Sequence, residues 1–459
     1  MIGSFVRRAS ATLVIGTFLA GCSASSSPTT PNVQQQSTRS SAASTNVSDS
    51  SQIVYDANPP TKFAFDALPT AATSLTPSYC VAKYGLACYT PALMRTGYDV
   101  PPSATGAGQS IVIVDAYGSP TIQQDCATFS TTFGLPACKL NVVYPGGSPT
   151  FNPKQHHEEA GWAFETSLDV EYAHAIAPDA TINLVVAANN GGDVLNNAER
   201  YAVANHLGSV MSMSFGAPEA AIRGSGNNLQ VRQADAIYKD AAAAGITVLA
   251  SAGDGGASNG GPAVNALFPA SDPHVTAVGG TDLFLSDSGA YKSEYVWDDA
   301  VAAQCPFGCQ DGVFGAGGGA PSAIFTAAPY QTALSGQSAR TTSDISYNAG
   351  VYTSVLVYLS FPSTPAGFYF VGGTSAGAPQ WAGIVADANA NLGHAIGELN
   401  PHLYAIGADA AADTSSFHDI TFGSNAFGGP GFTANTGYDL PTGLGSPIVA
   451  NLLAALKSH

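Results

Sequence analysis

The chain has little charge and few basic groups. Only 10% of its 459 residues are charged, against about 25% in an ordinary domain. The 32 Asp and Glu outnumber the 15 Lys and Arg, for a formal net charge of −17. That balance argues against nucleic acid or an anionic membrane surface as a partner. A chain poor in bases also gains less positive self-repulsion when its carboxylates protonate, which suits an acid environment. No internal repeat and no second linker interrupts the sequence beyond residue 76.

A long apolar run is missing too. Arg7 and Arg8 precede an apolar stretch over residues 11–19 that is too short to span a bilayer. It ends in Leu19-Ala20-Gly21-Cys22, which resembles a bacterial lipobox. Residues 1–21 therefore read as a lipoprotein-type signal peptide, with lipidation of the Cys22 thiol as the one expected membrane attachment. Residues 22–75 are dominated by Ser, Thr, Gln, Asn and Pro and read as a flexible tether. Residues 76–459 read as one large globular domain, expected as a monomer. Of the seven cysteines, Cys22 is set aside. The other six allow fifteen connectivities, and local spacing favours Cys80–Cys88, Cys126–Cys138 and Cys305–Cys309. The expected location is extracytoplasmic, lipid-anchored to a bacterial membrane or secreted.

Within the domain, apolar runs at 110–115, 181–186, 209–214 and 247–250 read as buried strands. Helical segments are expected over 160–176, 193–204 and 229–244. The alternation predicts an α/β fold, a parallel sheet with helices on both faces. Active sites in such sheets gather at the carboxyl ends of the strands. Two segments are placed there: Ser251-Ala252-Gly253-Asp254 after Ala250, and Gly372-Gly373-Thr374-Ser375-Ala376-Gly377-Ala378-Pro379 after Val371. The glycines let the backbone turn sharply. Ser375 then stands in the first turn of a helix, where free N–H groups favour developing negative charge. That suits a nucleophile attacking a carbonyl.

Gly-Thr-Ser-Ala-x-x-Pro after a strand, together with Asp115 closing an early Val-Ile-Val strand, resembles subtilisin. A histidine base in a His-Gly-Thr setting should then follow, yet none of the nine histidines precedes Gly-Thr. His156 and His157 come nearest, and Glu158 follows them. In the place of the base helix stand Glu165 and Asp169, one helical turn apart and flanked by Trp162, Leu168, Tyr172 and Ile176. Two close carboxyls share a proton and titrate at split values. Such a carboxylate can accept the serine proton in acid, where histidine is already protonated.

Taken together, Glu165-x-x-x-Asp169, Ser251-Ala252-Gly253-Asp254, Gly373-Thr374-Ser375-Ala376-x-x-Pro379 and a C-terminal aspartate pair resemble the sedolisin family of serine-carboxyl peptidases. The resemblance runs from about Tyr79 to the C-terminus. It implies a subtilisin-like fold, protein or peptide substrates, Ser375 as nucleophile, Glu165 as general base and acid, and Asp169 orienting Glu165. It implies Asp254 as a protonated oxyanion donor beside the Ser375 N–H. It also implies one structural calcium ion, Ca2+, held by the carboxylates of Asp419 and Asp439 and by main-chain carbonyls of Ile420, Asn435 and Gly437. Residues 210–216 and 317–322 resemble cleft-lining segments that could pair with an extended peptide.

The chain departs from the family in its prosegment. About 53 residues separate Cys22 from the domain start, too few and too polar for the family's folded prodomain. Thr342 also precedes Ser343-Asp344 where the family more often has proline before the aspartate. The short prosegment motivates an alternative, a catalytically inactive peptide-binding lipoprotein on the same scaffold. A third reading, an α/β-hydrolase esterase, rests on the literal match of Gly373-Thr374-Ser375-Ala376-Gly377 to Gly-x-Ser-x-Gly and lacks a partner histidine motif.

Overall fold

The computed structural model describes residues 53–57, 61–63, 75–154, 156–224, 228–301 and 315–459. The expected signal peptide, Cys22 and the expected Cys305–Cys309 pair lie outside the described residues.

The central sheet is built from the expected apolar runs. Its strands are β1 (Ser110–Ala116), β2 (Lys139–Val143), β3 (Thr181–Ala187), β4 (Val210–Met213), β5 (Thr247–Ser251), β6 (Thr276–Leu285), β7 (Tyr291–Val296) and β8 (Ile345–Asn348). They lie in the order β7-β6-β5-β4-β1-β3-β2, and β8 pairs along β6. All neighbours are parallel except β7, which returns antiparallel on β6. β1 is buried along nearly its whole length, as continuous runs require when helices cover both faces. The helices include α1 (Ile122–Phe133), α2 (Glu158–Ile176), α3 (Gly192–Ala204), α4 (Asn228–Ala243) and α5 (Thr374–Leu392). The three helices foreseen at 160–176, 193–204 and 229–244 are α2, α3 and α4. One apolar cluster lies on the α2 and α5 side of the sheet, and a second surrounds α3 and α4.

The strand leading to Ser375 differs from expectation. Residues Gly367–Val371 do not join the parallel sheet. They form a separate antiparallel ladder with Thr353–Leu359. Phe368 to Val371 is an apolar run that would be buried in either sheet, so its composition alone does not say which partner it takes.

A second difference falls inside the expected tether. Residues 53–57 are not loose: Ile53, Tyr55 and Ala57 are buried, and Tyr55 is 1% exposed. The alternation of buried Ile53, Tyr55 and Ala57 with exposed Val54 and Asp56 is that of a strand, short enough to be hidden among polar neighbours.

Two of the expected disulfides are present, Cys80–Cys88 and Cys126–Cys138, with Cα atoms 5.8 and 6.1 Å apart. Among the described residues no helix is long and apolar enough to cross a membrane.

Candidate active site

Two helices bring the candidate residues together. α2 begins with Glu158 and Glu159 in its first turn, which favours its N-terminal dipole, and stops just before Pro178. α5 starts after Gly373, whose φ of 108° is closed to most side chains. The two helices pack against each other closely. A side chain at Gly383 of α5 would put its Cβ 2.7 Å from Cβ of Ile176 on α2. That contact carries the α2 carboxyls toward the first turn of α5, where Ser375 is 6% exposed.

Glu165 and Asp169 are both fully buried. Ser214, just past β4, donates its hydroxyl to Asp169 Oδ1 at 2.8 Å and lies 3.4 Å from the Ser375 carbonyl oxygen. The Ser375 hydroxyl faces Glu165 and favours its ionised form, although neither Glu165 oxygen has a partner within direct hydrogen-bond distance. Such looseness is common before substrate enters a site. Burial, then the Asp115 charge, pushes Glu165 well above the usual carboxylate range. Asp169 is raised by burial, then by Asp115 and Glu165, against the Ser214 bond. Three carboxyls thus share one dry site and hold protons that isolated carboxyls would release.

Asp115, at the carboxyl end of β1, is the member that sequence reasoning left out of the site. Burial lifts it to about 7, against the opposing Thr166 hydroxyl. The signal was available in a carboxylate closing a buried strand, but its nearness to Glu165 depends on how α2 packs over β1.

Asp254 follows β5 and keeps some solvent contact. Burial raises it, against two donors from Thr374. Both donors go to Oδ1, the backbone N–H at 2.8 Å and the hydroxyl at 2.7 Å. The Thr374 hydroxyl oxygen in turn accepts the Gly253 N–H at 3.1 Å. The segment 317–322 supports this loop: Gly318 N–H donates to the Gly253 carbonyl at 2.7 Å. His174, the histidine buried on α2, has Ser130 Oγ and the Pro136 carbonyl 3.0 and 3.1 Å from Nε2.

The C-terminal aspartates converge as well. Gly437 N–H donates to both Asp419 oxygens, and Asn435 N–H donates to Asp439 Oδ2 at 2.9 Å. Burial lifts Asp439 to about 6, with the Asp419 charge adding to it. Two like charges held together by loop geometry form a donor set of hard oxygens. Among the described residues no three His, Cys, Asp or Glu side chains gather around a cation. A metal there would need main-chain carbonyls, and those of Ile420, Asn435 and Gly437 belong to these same loops.

Residues 156–402 match the family model described as the subtilase family. Kumamolisin of Bacillus sp. is 34% identical over 385 residues, covering 80% of this chain and 63% of that protein. Sedolisin of Pseudomonas sp. is 28% identical over 380 residues, covering 81% of this chain and 62% of that protein. The chain thus spans less than two thirds of the length of either relative. A solved structure of Pseudomonas sedolisin, a serine-carboxyl proteinase complexed with two molecules of pseudo-iodotyrostatin, superposes with a TM-score of 0.71 at 28% identity. That superposition covers 82% of this chain and 99% of the other.

Proposed function

Because this chain belongs to the subtilase family, in its sedolisin branch, we propose that it is an acid-active serine-carboxyl endopeptidase acting on proteins or peptides. One observation carries the reading: Ser375 faces a buried Glu165 whose neighbours are Asp169 and Asp115. In the form where Asp169 carries the proton the pair shares, Glu165 is ionised: Ser375 Oγ attacks the scissile carbonyl while Glu165 takes the hydroxyl proton and returns it to the leaving amine. Asp169, fixed by Ser214, orients Glu165 and shares its proton. Asp254 is anchored through Oδ1, which leaves Oδ2 to carry a proton in acid and donate a hydrogen bond from it to the oxyanion beside the Ser375 N–H. A preorganised donor of this kind is worth about 3 kcal/mol of barrier.

The hard-oxygen loops support one structural Ca2+ bound by Asp419, Asp439 and the carbonyls of Ile420, Asn435 and Gly437. When bound, it would neutralise the two carboxylates and fix the C-terminal loops. The N-terminal signals support an extracytoplasmic protein tethered by a lipid at Cys22. The test of the activity is cleavage of denatured protein at about pH 4, with internal fragments as products. Loss of cleavage in both Ser375→Ala and Glu165→Gln supports the reading. Full activity in either variant contradicts it.

A further inference from the structure

The loop that carries Asp254 is held by a neighbouring stretch of main chain. Ala316 is bridged on one side to Gly255, in parallel, and on the other to Asp298, antiparallel. Its N–H donates to the Asp254 carbonyl at 3.0 Å, and Gly256 N–H donates to the Ala316 carbonyl at 3.0 Å. Gly318 N–H then returns to the Gly253 carbonyl at 2.7 Å. A side chain on Gly318 would place its Cβ 2.0 Å from the Ala252 carbonyl oxygen, so only glycine allows this approach. Where residues 315–318 stand therefore decides where Asp254 stands.

A residue from far along the chain grips both stretches. Asn425 is fully buried, and each of its polar atoms is bonded. Nδ2 donates to the carbonyls of Gly318 and Gly319 at 2.8 and 3.1 Å, and Oδ1 accepts the Phe432 N–H at 2.9 Å. The Asn425 main-chain carbonyl accepts the Ala257 N–H at 2.9 Å, and its N–H donates to the Phe432 carbonyl at 3.1 Å. The side chain thus holds 318–319 while the main chain holds the end of the Asp254 loop. The fit on the loop side is close, since a Cβ on Gly256 would stand 2.7 Å from the Asn425 carbonyl oxygen. Two turns further on, Phe427 N–H donates to Asp298 Oδ2 at 3.1 Å and ties the same loop to the outer side of Ala316.

The chemistry asks for a short primary amide. It offers two N–H donors and an acceptor on one short stem. An apolar side chain would leave two carbonyls and one N–H buried without partners. An ionised carboxylate would set negative charge against both glycine carbonyls.

We propose that Asn425 is a positioning residue for the reaction: it keeps residues 317–319 and the loop 253–257 in one register, and so sets where Asp254 stands relative to Ser375. Its own bonds reach neither the Ser375 hydroxyl nor the Asp254 carboxyl. The proposal rests on the peptidase reading for its effect on catalysis, and its test reads the register and the catalysis separately.

The full-length chain is compared with Asn425→Ala at about pH 4. Hydrogen exchange read by mass spectrometry should become about tenfold faster or more at the amides of 253–257 and 316–318, with those of α3 little changed. Cleavage of fluorescein-labelled casein should show kcat reduced about tenfold, with KM changed less than about threefold. Combining the substitution with Thr374→Val should lower kcat by less than the product of the two single losses, because both act on Asp254.

Asn425→Asp serves if the alanine variant does not fold. Its protonated carboxyl keeps the acceptor and one donor, and the titratable groups on the surrounding segments, Asp254 and Asp298, are acids that oppose its ionisation. Its kcat relative to the unaltered chain should therefore be highest in acid and fall as pH rises. Unchanged exchange at 253–257, an unchanged kcat, losses that multiply with Thr374→Val, or a pH-independent ratio for Asn425→Asp each overturn the proposal. Faster exchange confined to these segments, in a protein whose unaltered form cleaves nothing, upholds the register and overturns the peptidase reading.

Discussion

Thr374 gives both of its donors to one oxygen of Asp254: the backbone N–H at 2.8 Å and the hydroxyl at 2.7 Å, each to Oδ1. The residue before Ser375 therefore ties the first turn of α5 to the β5 loop and holds one carboxyl oxygen of Asp254 in place. The same bonds favour an ionised Asp254, opposing the burial that raises it. Its protonation is a balance, with acid solution tipping it toward the donor form.

That arrangement predicts the effect of Thr374→Val. Without the hydroxyl, Asp254 loses one anchor and Gly253 N–H loses its acceptor. The expected result is a drop in kcat of about tenfold with little change in KM, as befits one lost hydrogen bond to a charged or catalytic group. Thr374→Ser should restore most of the rate. Steady-state kinetics on a peptide substrate checks both, and an unchanged kcat in the valine variant would count against Asp254 as an oxyanion donor.

The buried carboxyls predict an inverted dependence of stability on pH. Burial lifts Asp115, Asp272 and Asp387 to about 7, and Glu199 and Asp299 to about 8. A raised native pKa means that the folded state binds protons which the unfolded chain releases. The stability they contribute is full below the unfolded carboxylate range and is lost as pH rises through about 7 to 8. The melting temperature should therefore be higher at pH 5 than at pH 8, by several degrees. Scanning calorimetry across that range checks it, and a melt that rises toward pH 8 contradicts it.

Calcium should act on stability rather than on chemistry. A chelator is expected to lower the melting temperature by several degrees, and added Ca2+ to restore it, because an ion that binds only the folded state stabilises by mass action. In Asp419→Ala the chelator should have little further effect. Differential scanning fluorimetry with elemental analysis tests this. An unchanged melt, with no bound metal, would remove the ion from the account.

Much of this molecule was legible in its sequence, for identifiable reasons. Strands β1, β3, β4 and β5 were visible because continuous apolar runs between helical segments have few other uses. Glu165 and Asp169 stood out as carboxyls amid large apolar residues in a chain with few charges. Asp115 was noticed as a strand end but not as their neighbour, since that distance is set by the packing of α2 over β1. The ladder of Gly367–Val371 with Thr353–Leu359 was missed because an apolar run does not name its partner. Residues 53–57 were missed because five alternating residues are too few to register against a polar background, and only their main-chain bonds to Asn190, Gly192 and Gly216 order them.

The most direct measurement is the pH dependence of kcat/KM on a denatured protein or peptide, taken for the unaltered chain and for Glu165→Gln. A carboxyl base, a shared proton and a protonated Asp254 predict an optimum in acid, falling away toward neutral pH, and near-complete loss of activity in Glu165→Gln at every pH. An optimum at neutral pH, or a Glu165→Gln variant that keeps its rate, would contradict the account.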